Sequence, residues 1–303
     1  MIARDNKDRL FRFIYGKEQN KKWTLELYNA VNGTAYTDEN DMELISIESV
    51  LYMKMKNDVA FLLGGFINLY EHQSTYNPNM PLRELLYLSS MYERYVHMNG
   101  LNIYGKTQLM LPVPKLLVFY NGEDEMPDET ILTLTSSFPE EFREQSDVEV
   151  RVRMININAG HSNEIMRNCR TLREYAWFVE KTREKLTESE ISNMSEEERE
   201  IAKERAIDEV LDAMPEDFVI KPFLSANRAE VKHMLLTEYD EKKTMEMFAR
   251  DARKEQRELD EKEIAQITAE KNAAVEEKNA AVEEKNAALE EVKRLKELLA
   301  QKS

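Results

Sequence analysis

Two adjacent glycines, Gly64 and Gly65, separate two short apolar runs at residues 59–63 and 66–70. A glycine pair between apolar runs is typical of the two-residue turn of a β-hairpin, because glycine adopts the positive φ angles that such a turn requires. If residues 64 and 65 form the turn, any two residues that face each other across the hairpin have numbers that add up to 129. The sequence therefore predicts two antiparallel strands and also which side chains face each other across them.

The segments around the hairpin alternate between helical and strand patterns. Residues 81–97 have the apolar spacing of an amphipathic helix, and Pro81 suits its first turn, where no backbone donor is needed. Residues 115–120 form a continuous apolar run, which is typical of a strand buried on both faces. The full predicted order is one or two helices at 8–31, strands at 44–54, 59–63 and 66–70, the helix at 81–97, strands at 115–120 and 148–157, and a helix at 164–185. This order predicts an α/β fold with a mixed sheet flanked by helices.

The distribution of glycine divides the chain. All eight glycines precede residue 161, whereas the chain beyond about Thr187 is rich in Glu, Lys, Ala and Met, which favour helices. We therefore predict three parts: an α/β domain at 1–186, a helical extension at 187–245, and a long charged helix at 246–303.

A seven-residue repeat occupies the last part of the sequence. EKNAAVE begins at Glu270 and again at Glu277, and the variant EKNAALE begins at Glu284. Seven residues is the period of a coiled coil. If the apolar residues occupy heptad position d, an asparagine falls at each position a. Asparagine at position a fixes the register of the two helices and favours dimers at a cost in stability. The residues at d and a are Val275, Val282 and Leu289, and Asn272, Asn279 and Asn286, respectively. The repeat allows two structures: a weak coiled coil that joins two copies into a homodimer, or a solitary solvated helix held by Glu–Lys pairs.

The charge balance argues against broad electrostatic attraction to a polyanion. The chain has 42 Lys and Arg residues against 58 Asp and Glu residues, a formal net charge of −16. A protein of this charge does not attract nucleic acid or anionic lipid over its whole surface. A local basic groove or a contact bridged by a metal ion remains compatible with this composition.

The sequence also predicts a cellular compartment. Cys169 is the single cysteine, which excludes an intramolecular disulfide and a cysteine-rich zinc site and fits a reducing cytoplasm. The longest apolar run, at 59–70, is too short to span a bilayer, and the first residues carry charge where a signal peptide needs an apolar stretch. We therefore predict a soluble, cytoplasmic protein without membrane association.

The hairpin register brings two acidic side chains together. Asp58 lies opposite Glu71, because 58 and 71 sum to 129, and Lys56 lies opposite Gln73 by the same sum. Strand side chains alternate with a period of two, so all four share one face of the sheet, with opposed β-carbons about 4.5–5.5 Å apart. Two opposed carboxylates repel each other unless a positive group lies between them, and Mg²⁺ prefers carboxylate oxygens. The sequence therefore predicts either a divalent-cation site or a solvated pair of charged strands.

The same register directs His72 to the opposite face of the sheet, together with Tyr70 and Val59. We interpret His72 as a core or surface histidine rather than as a metal ligand or general base. The four histidines lack zinc-ligand spacing, and no glycine-rich phosphate-binding loop is present in the sequence.

Several longer motifs occur in one order along the chain. Residues 57–83 contain NDVAF, INLYEHQS and NPNMPLR, and they are followed by PKLLVFYNG at 114–122, VRMININ at 152–158 and LREY at 172–175. In this order the motifs resemble the Rpn family of recombination-promoting nucleases and putative transposases, a branch of the PD-(D/E)XK nuclease superfamily. The resemblance covers roughly residues 4–255. It implies a restriction-endonuclease-like mixed sheet flanked by helices.

The resemblance also implies roles for individual residues. Asp58 and Glu71 correspond to the acidic pair that holds Mg²⁺ or Mn²⁺. Gln73 stands where the superfamily has lysine, as is usual in the Rpn branch, and would position the attacking water. Because glutamine carries no charge, we predict that Lys56, opposite Gln73, supplies the ammonium group. Arg83 is a candidate for binding phosphate near the start of its helix, or else an ordinary exposed helix arginine.

The function implied by the resemblance is that of a metal-dependent DNA endonuclease that hydrolyses phosphodiester bonds, in a recombination-promoting or transposase-like role. Asp8 or Glu26 would add a further acidic group, as in related nucleases, and Asn57 stands where the superfamily motif has proline. The alternative is a catalytically silent nuclease fold that serves as a binding or assembly module through the C-terminal heptads. A third interpretation is a toxin-like nuclease held in check by a partner.

Overall fold

The computed structural model describes residues 9–45, 59–188 and 195–237, together with Arg257 and Lys271. The chain divides into two compact units, Met1–Glu241 and Lys242–Ser303. All elements named below belong to the first unit. The heptad repeat and nearly all of the helix predicted at 246–303 lie outside the described residues, so the coiled-coil dimer stays a prediction.

The strands and helices follow the predicted alternation, except that a strand at Glu129–Thr133 was not predicted. The strands are β1 (Glu43–Leu44), β2 (Val59–Leu63), β3 (Phe66–Gln73), β4 (Val113–Tyr120), β5 (Glu129–Thr133) and β6 (Arg151–Asn156). The helices are α1 (Arg9–Tyr15), α2 (Lys21–Asn32), α3 (Met80–Met98), α4 (Asn163–Asn168), α5 (Arg170–Glu188), α6 (Glu196–Ala213) and α7 (Lys221–Ala226), with residues 228–237 helical again. Across the described segments, no helix combines the length and the apolar character needed to cross a membrane.

The strands form one mixed sheet in the order β1-β2-β3-β4-β6-β5. The pairs β1/β2, β2/β3 and β5/β6 are antiparallel, whereas β3/β4 and β4/β6 are parallel. Helices cover both faces of this sheet, so the prediction of an α/β fold with a mixed sheet flanked by helices is confirmed. The short β1 contains only the beginning of the strand predicted at 44–54, because residues 46–58 lie outside the described ranges.

The hairpin of β2 and β3 has the predicted register. Val59 pairs with Tyr70, and 59 and 70 sum to 129. Gly64 and Gly65 adopt φ angles of 58° and 82°, values that residues other than glycine reach only at a cost. The strand β3 extends to Gln73, beyond the predicted apolar run, because its polar end pairs with the buried strand β4.

The two faces of β3 contact different helices. Ile67 and Leu69 belong to a smaller hydrophobic core that includes α3. Tyr70 belongs to a larger core that includes α1, α2 and α5. Because side chains alternate along a strand, Glu71 and Gln73 lie on the α3 face and His72 lies on the opposite face.

The helix predicted at 164–185 is interrupted at Cys169, where the backbone is extended with φ −124° and ψ 99°. Glu26 explains the break, because it provides a cap for the first turn of α5. Its carboxylate accepts from the backbone N–H of Arg170 at 2.7 Å and from the hydroxyl of Thr171 at 2.9 Å. The bond from Arg170 satisfies a backbone donor that the start of a helix leaves open, and a helix running through Cys169 would not present that donor.

The described part of the predicted helical extension contributes to the larger core. Ile207 and Leu211 of α6 and Leu224 of α7 are buried together with residues of α1, α2 and α5. A buried carboxylate strengthens the connection, because Glu174 of α5 accepts from the backbone N–H of Ile220 at 3.1 Å. The described residues of the extension thus share a core with the α/β part of the chain.

The hairpin turn gives a prediction with an internal control. Replacing either glycine with alanine is expected to cost about 1–2 kcal/mol of unfolding free energy, because both residues have positive φ. Gly64→Ala should cost more than Gly65→Ala. A β-carbon at residue 64 meets the Tyr36 hydroxyl oxygen, whereas a β-carbon at residue 65 has no atom within 4 Å. Urea unfolding of the two variants measures the difference.

Removing the side chain of Tyr36 should abolish that difference. In a Tyr36→Ala background, Gly64→Ala and Gly65→Ala are expected to lower the free energy of unfolding by equal amounts. If Gly64→Ala remains the more costly substitution there, contact with Tyr36 is not the reason for the asymmetry.

Candidate functional site

The candidate site lies at the end of β3, on the face covered by α3. Glu71 is only 2% exposed and Gln73 only 5% exposed. Both side chains point toward α3, as the period-two alternation predicts. Asp58 and Lys56, the two residues predicted to face them, lie outside the described residues. Their pairing with Glu71 and Gln73 therefore stays a prediction, although the described part of the hairpin has the register on which it depends.

Arg83 contacts the buried carboxylate directly. Its Nη2 donates to Oε1 of Glu71 at 2.6 Å and to the hydroxyl of Tyr87 at 3.2 Å. Its guanidinium also lies 5.8 Å from the centre of the Tyr87 ring. The pair is asymmetric in burial, since the Arg83 side chain is 38% exposed and that of Glu71 is 3% exposed. Arg83 is thus a charged partner of the predicted metal ligand and still reaches solvent, where a phosphate could bind.

Gln73 is held in one orientation by its neighbours. Its Nε2 donates to Oε1 of Glu71 at 3.1 Å and also contacts Sδ of Met80 at 2.6 Å. The carboxylate accepts hydrogen bonds only, so the amide must direct its nitrogen, not its oxygen, toward Glu71. The opposite atom, Oε1 of Gln73, is buried and has no hydrogen-bond partner among the residues that the structure describes. This arrangement leaves an acceptor for a water molecule or a cation.

A second buried carboxylate, that of Glu84, was missed by the sequence reasoning. Glu84 is 0% exposed and lies on the α3 face that packs against the sheet, together with Met80, Tyr87 and Met91. A signal for it is present in the sequence. Residues 80, 84, 87 and 91 have the spacing of one helix face, so a helix that buries Met80 and Met91 also buries the residue at 84.

Other titratable groups have structural roles. His72 is fully buried, its Nε2 lies 3.0 Å from the Tyr175 hydroxyl, and its ring stacks on Phe11, as expected for a core histidine. Burial raises the pKa of the Cys169 thiol to about 12, so it is not a thiolate nucleophile at neutral pH. Glu26, predicted as an additional acidic group of the site, instead caps α5, and this prediction was wrong. The other candidate, Asp8, lies outside the described residues.

The described carboxylates do not complete a metal site by themselves. Within residues 9–45, 59–188 and 195–237, no group of three or more His, Cys, Asp or Glu residues could hold a metal ion. Glu71 and Glu84 are buried carboxylates within these ranges, and the predicted ligand Asp58 lies outside them. The site predicted from the sequence is thus half described.

Comparisons of the chain with protein-family models, with curated proteins and with solved structures found no match.

Proposed function

We propose that this chain is a cytoplasmic, metal-dependent DNA endonuclease with a PD-(D/E)XK-like sheet, acting in a recombination-promoting or transposase-like role. The observation that carries the proposal is the buried Glu71 carboxylate, which lies on the hairpin strand with Gln73 beside it and Arg83 against it. A carboxylate so little exposed is costly to keep ionised unless cations and donors surround it. A phosphodiester hydrolase that works through a divalent cation uses carboxylates of this kind to hold the cation.

The donor set suits a hard divalent cation. Glu71 provides a carboxylate, and Gln73 provides an amide oxygen that lacks a partner among the described residues. Asp58 is predicted from the sequence to lie opposite Glu71 on the same face. Carboxylate and amide oxygens are the ligands that Mg²⁺ and Mn²⁺ prefer. In this proposal Asp58 and Glu71 hold the cation.

Each residue of the site then has a role in hydrolysis. The bound cation supplies polarisation of the scissile phosphate and lowers the pKa of a water molecule. The amide oxygen of Gln73 accepts a hydrogen bond from the attacking water and orients it. Lys56 provides the ammonium group that Gln73 lacks. Arg83, which is partly exposed to solvent, donates to a phosphate oxygen of the DNA.

Cleavage of supercoiled plasmid DNA tests the proposal. The native chain is expected to nick the plasmid with Mg²⁺ or Mn²⁺ and to lose this activity in EDTA. Asp58→Ala and Glu71→Ala should each reduce the rate at least about 100-fold, because a lost ligand removes several kcal/mol of transition-state stabilisation. Lys56→Ala should reduce it about 10-fold, since it removes only one positioning group.

The control is Glu164→Ala, which removes an exposed glutamate of α4 that is remote in sequence from the site. This variant should cleave at the native rate. Equal rates in the native chain, Asp58→Ala and Glu71→Ala would contradict the site assignment and indicate a contaminating nuclease. An unchanged rate in Lys56→Ala would contradict the ammonium role alone.

The second candidate function is a catalytically silent nuclease fold that serves as a binding or assembly module. The specific observation that favours it is the ion pair of Glu71 with Arg83, because a purely structural cluster would neutralise its carboxylate in the same way. Under this alternative the heptads join two copies of the chain. Absence of cleavage, together with loss of a dimer in light scattering after truncation at about residue 255, would favour it.

A further inference from the structure

We propose that copies of this chain associate head to tail, with the segment between α3 and β4 of one copy docking on the free edge of β5 in the next copy. This α3–β4 segment comprises residues 99–112. Neither surface contains a residue of the candidate site, so the inference goes beyond the proposed function and does not depend on it.

The α3–β4 segment exposes large apolar side chains. Tyr104 is 91% exposed and Met110 is 85% exposed, and Ile103 and Leu111 are exposed as well. Single exposed apolar residues are ordinary, whereas several in one short stretch are typical of a surface that binds a partner. Residues 108–111 belong to no helix or strand, so their backbone can pair with the edge of a sheet.

The sequence around this segment is basic, although the chain as a whole is acidic. No Asp or Glu occurs between Glu93 and Glu123, whereas the chain has 58 of them in 303 residues. Arg94, Lys106 and Lys115 lie in the same stretch. A partner surface that is both apolar and acidic would therefore match the segment.

The strand β5 provides a free edge. It is the last strand in the sheet order, with β6 on one side and no strand of the described residues on the other. The backbone N–H of Leu134 donates to the carbonyl of Val150 on the β6 side at 2.9 Å. Antiparallel strands bond at every second residue, so Ile131 and Thr133 direct their N–H and C=O groups away from β6.

This edge lacks the features that usually prevent strands from pairing there. Natural edge strands are often protected by lysine or proline, but residues 130–138 contain no charged residue and no proline. Ile131, in the middle of β5, is 52% exposed. The edge thus offers both unpaired backbone groups and an apolar side chain to a further strand.

Acidic segments flank both ends of β5. Residues 123–129 contain five acidic residues and no basic one, and residues 140–149 contain five acidic residues and one arginine. All ten acidic residues are exposed. The second segment is tied to the end of β5, because the Glu149 carboxylate accepts from the backbone N–H of Leu134 at 3.1 Å. The flanks stay acidic although arginines pair with or adjoin them: Arg143, Arg151, Arg153 and Arg183.

The α3–β4 segment of a second copy matches this edge in backbone, side chains and charge. Residues 108–111 add a strand to β5, Met110 packs near Ile131, and the basic stretch meets the acidic flanks. Two β5 edges facing each other would instead bring the acidic flanks together, which like-charge repulsion disfavours. Because two different surfaces meet, the contact is heterologous and repeats into a ring or a filament.

Two single substitutions test the proposal in the full chain. Met110→Asp disables the α3–β4 segment and Ile131→Asp disables the edge, because each places a carboxylate in the apolar contact. All chains also carry Val275→Asp and Val282→Asp, so that the heptads do not join the copies. In sedimentation velocity, each variant alone should associate at least about 10-fold more weakly than the chain without it.

The decisive measurement is a mixture of the two variants. The intact edge of Met110→Asp should bind the intact segment of Ile131→Asp, so the mixture should form a complex of two copies that grows no further. A matched control is Ile201→Asp, which replaces a similarly exposed isoleucine of α6 and should associate as the parent chain does.

Other results of this experiment would overturn the proposal. Association of Met110→Asp with itself would indicate pairing of two edges, and association of Ile131→Asp with itself would indicate contact between two segments. A mixture that associates no more strongly than its components, or a parent chain that stays monomeric, would exclude head-to-tail contact.

Ionic strength provides a second readout that needs no substitution in a strand. Salt screens the attraction between the basic stretch and the acidic flanks, so raising the ionic strength about 10-fold should weaken association of the parent chain. Lys106→Glu should weaken association at low salt and reduce this salt dependence. Association that is insensitive both to salt and to Lys106→Glu would overturn the charge match on which the choice of a second copy rests.

Discussion

Replacing Phe11 with alanine is expected to lower the free energy of unfolding by about 3–5 kcal/mol, the range for deleting a fully buried phenylalanine side chain. Phe11 is 0% exposed. Its ring lies 4.7 Å from that of Tyr15, 5.4 Å from His72, 5.1 Å from Phe119 and 5.7 Å from Tyr175. These rings belong to α1, two central strands and α5, so the substitution opens a cavity where two helices pack on the middle of the sheet.

The measurement is urea or thermal unfolding of Phe11→Ala beside the matched variant Phe142→Ala. Phe142 is 55% exposed, and its removal should change the free energy by no more than about 0.5 kcal/mol. A similar effect of the two substitutions would mean that the ring cluster is not the centre of the larger core.

The parts of the fold that are predictable from sequence are those set by local chemistry. Gly64 and Gly65 define a turn, and period-two alternation then assigns Glu71 and Gln73 to one face and His72 to the other. Each step uses residues close in sequence, so no knowledge of the tertiary structure is needed.

The contacts that sequence reasoning missed join distant segments. Glu26 caps α5 across 144 residues of chain, which no local pattern reports. The same distance explains why the break at Cys169 was not predicted. Its cause is a carboxylate from another helix, while the residues on either side have helical spacing.

The candidate site combines features that are predictable from local sequence with contacts that depend on the tertiary structure. Arg83 was predicted to be a phosphate ligand or an ordinary exposed arginine, and in the structure it binds Glu71, twelve residues away. That pairing depends on how α3 returns over the sheet. Glu84, in contrast, lies on the same helix face as the buried Met80 and Met91, and this is visible in the sequence. Its burial follows from assigning every residue of that face to the core, whereas a search for pairs of acidic residues overlooks it.

Arg83→Met is expected to lower the free energy of unfolding by about 2–3 kcal/mol in the absence of divalent cations. The substitution removes a positive charge from the buried Glu71 carboxylate, while the methionine keeps much of the packing against Tyr87. We place the cost below the range for a fully buried pair, because the Arg83 side chain is 38% exposed and water can enter where it was.

The control is Lys181→Met, which breaks the pair of Lys181 with Glu184. The N–O distance of that pair is also 2.6 Å, but both side chains are close to half exposed. A surface ion pair of this kind contributes little to stability, so Lys181→Met should lower the free energy of unfolding by no more than about 1 kcal/mol. Equal costs for the two variants would show that burial of Glu71 does not govern the effect.

Adding Mg²⁺ to Arg83→Met separates the two candidate functions. If Glu71 is a metal ligand, the cation replaces the missing positive charge, and at about 100 times its dissociation constant it should restore about 2.7 kcal/mol. If the cluster is purely structural, Mg²⁺ binds nothing there, and Arg83→Met stays as unstable as in EDTA. The endonuclease proposal thus predicts that the variant depends on the divalent cation for its stability more strongly than the native chain, since in the native chain Arg83 already neutralises part of the site. A native chain and a variant with the same small response to Mg²⁺ would favour the assembly module.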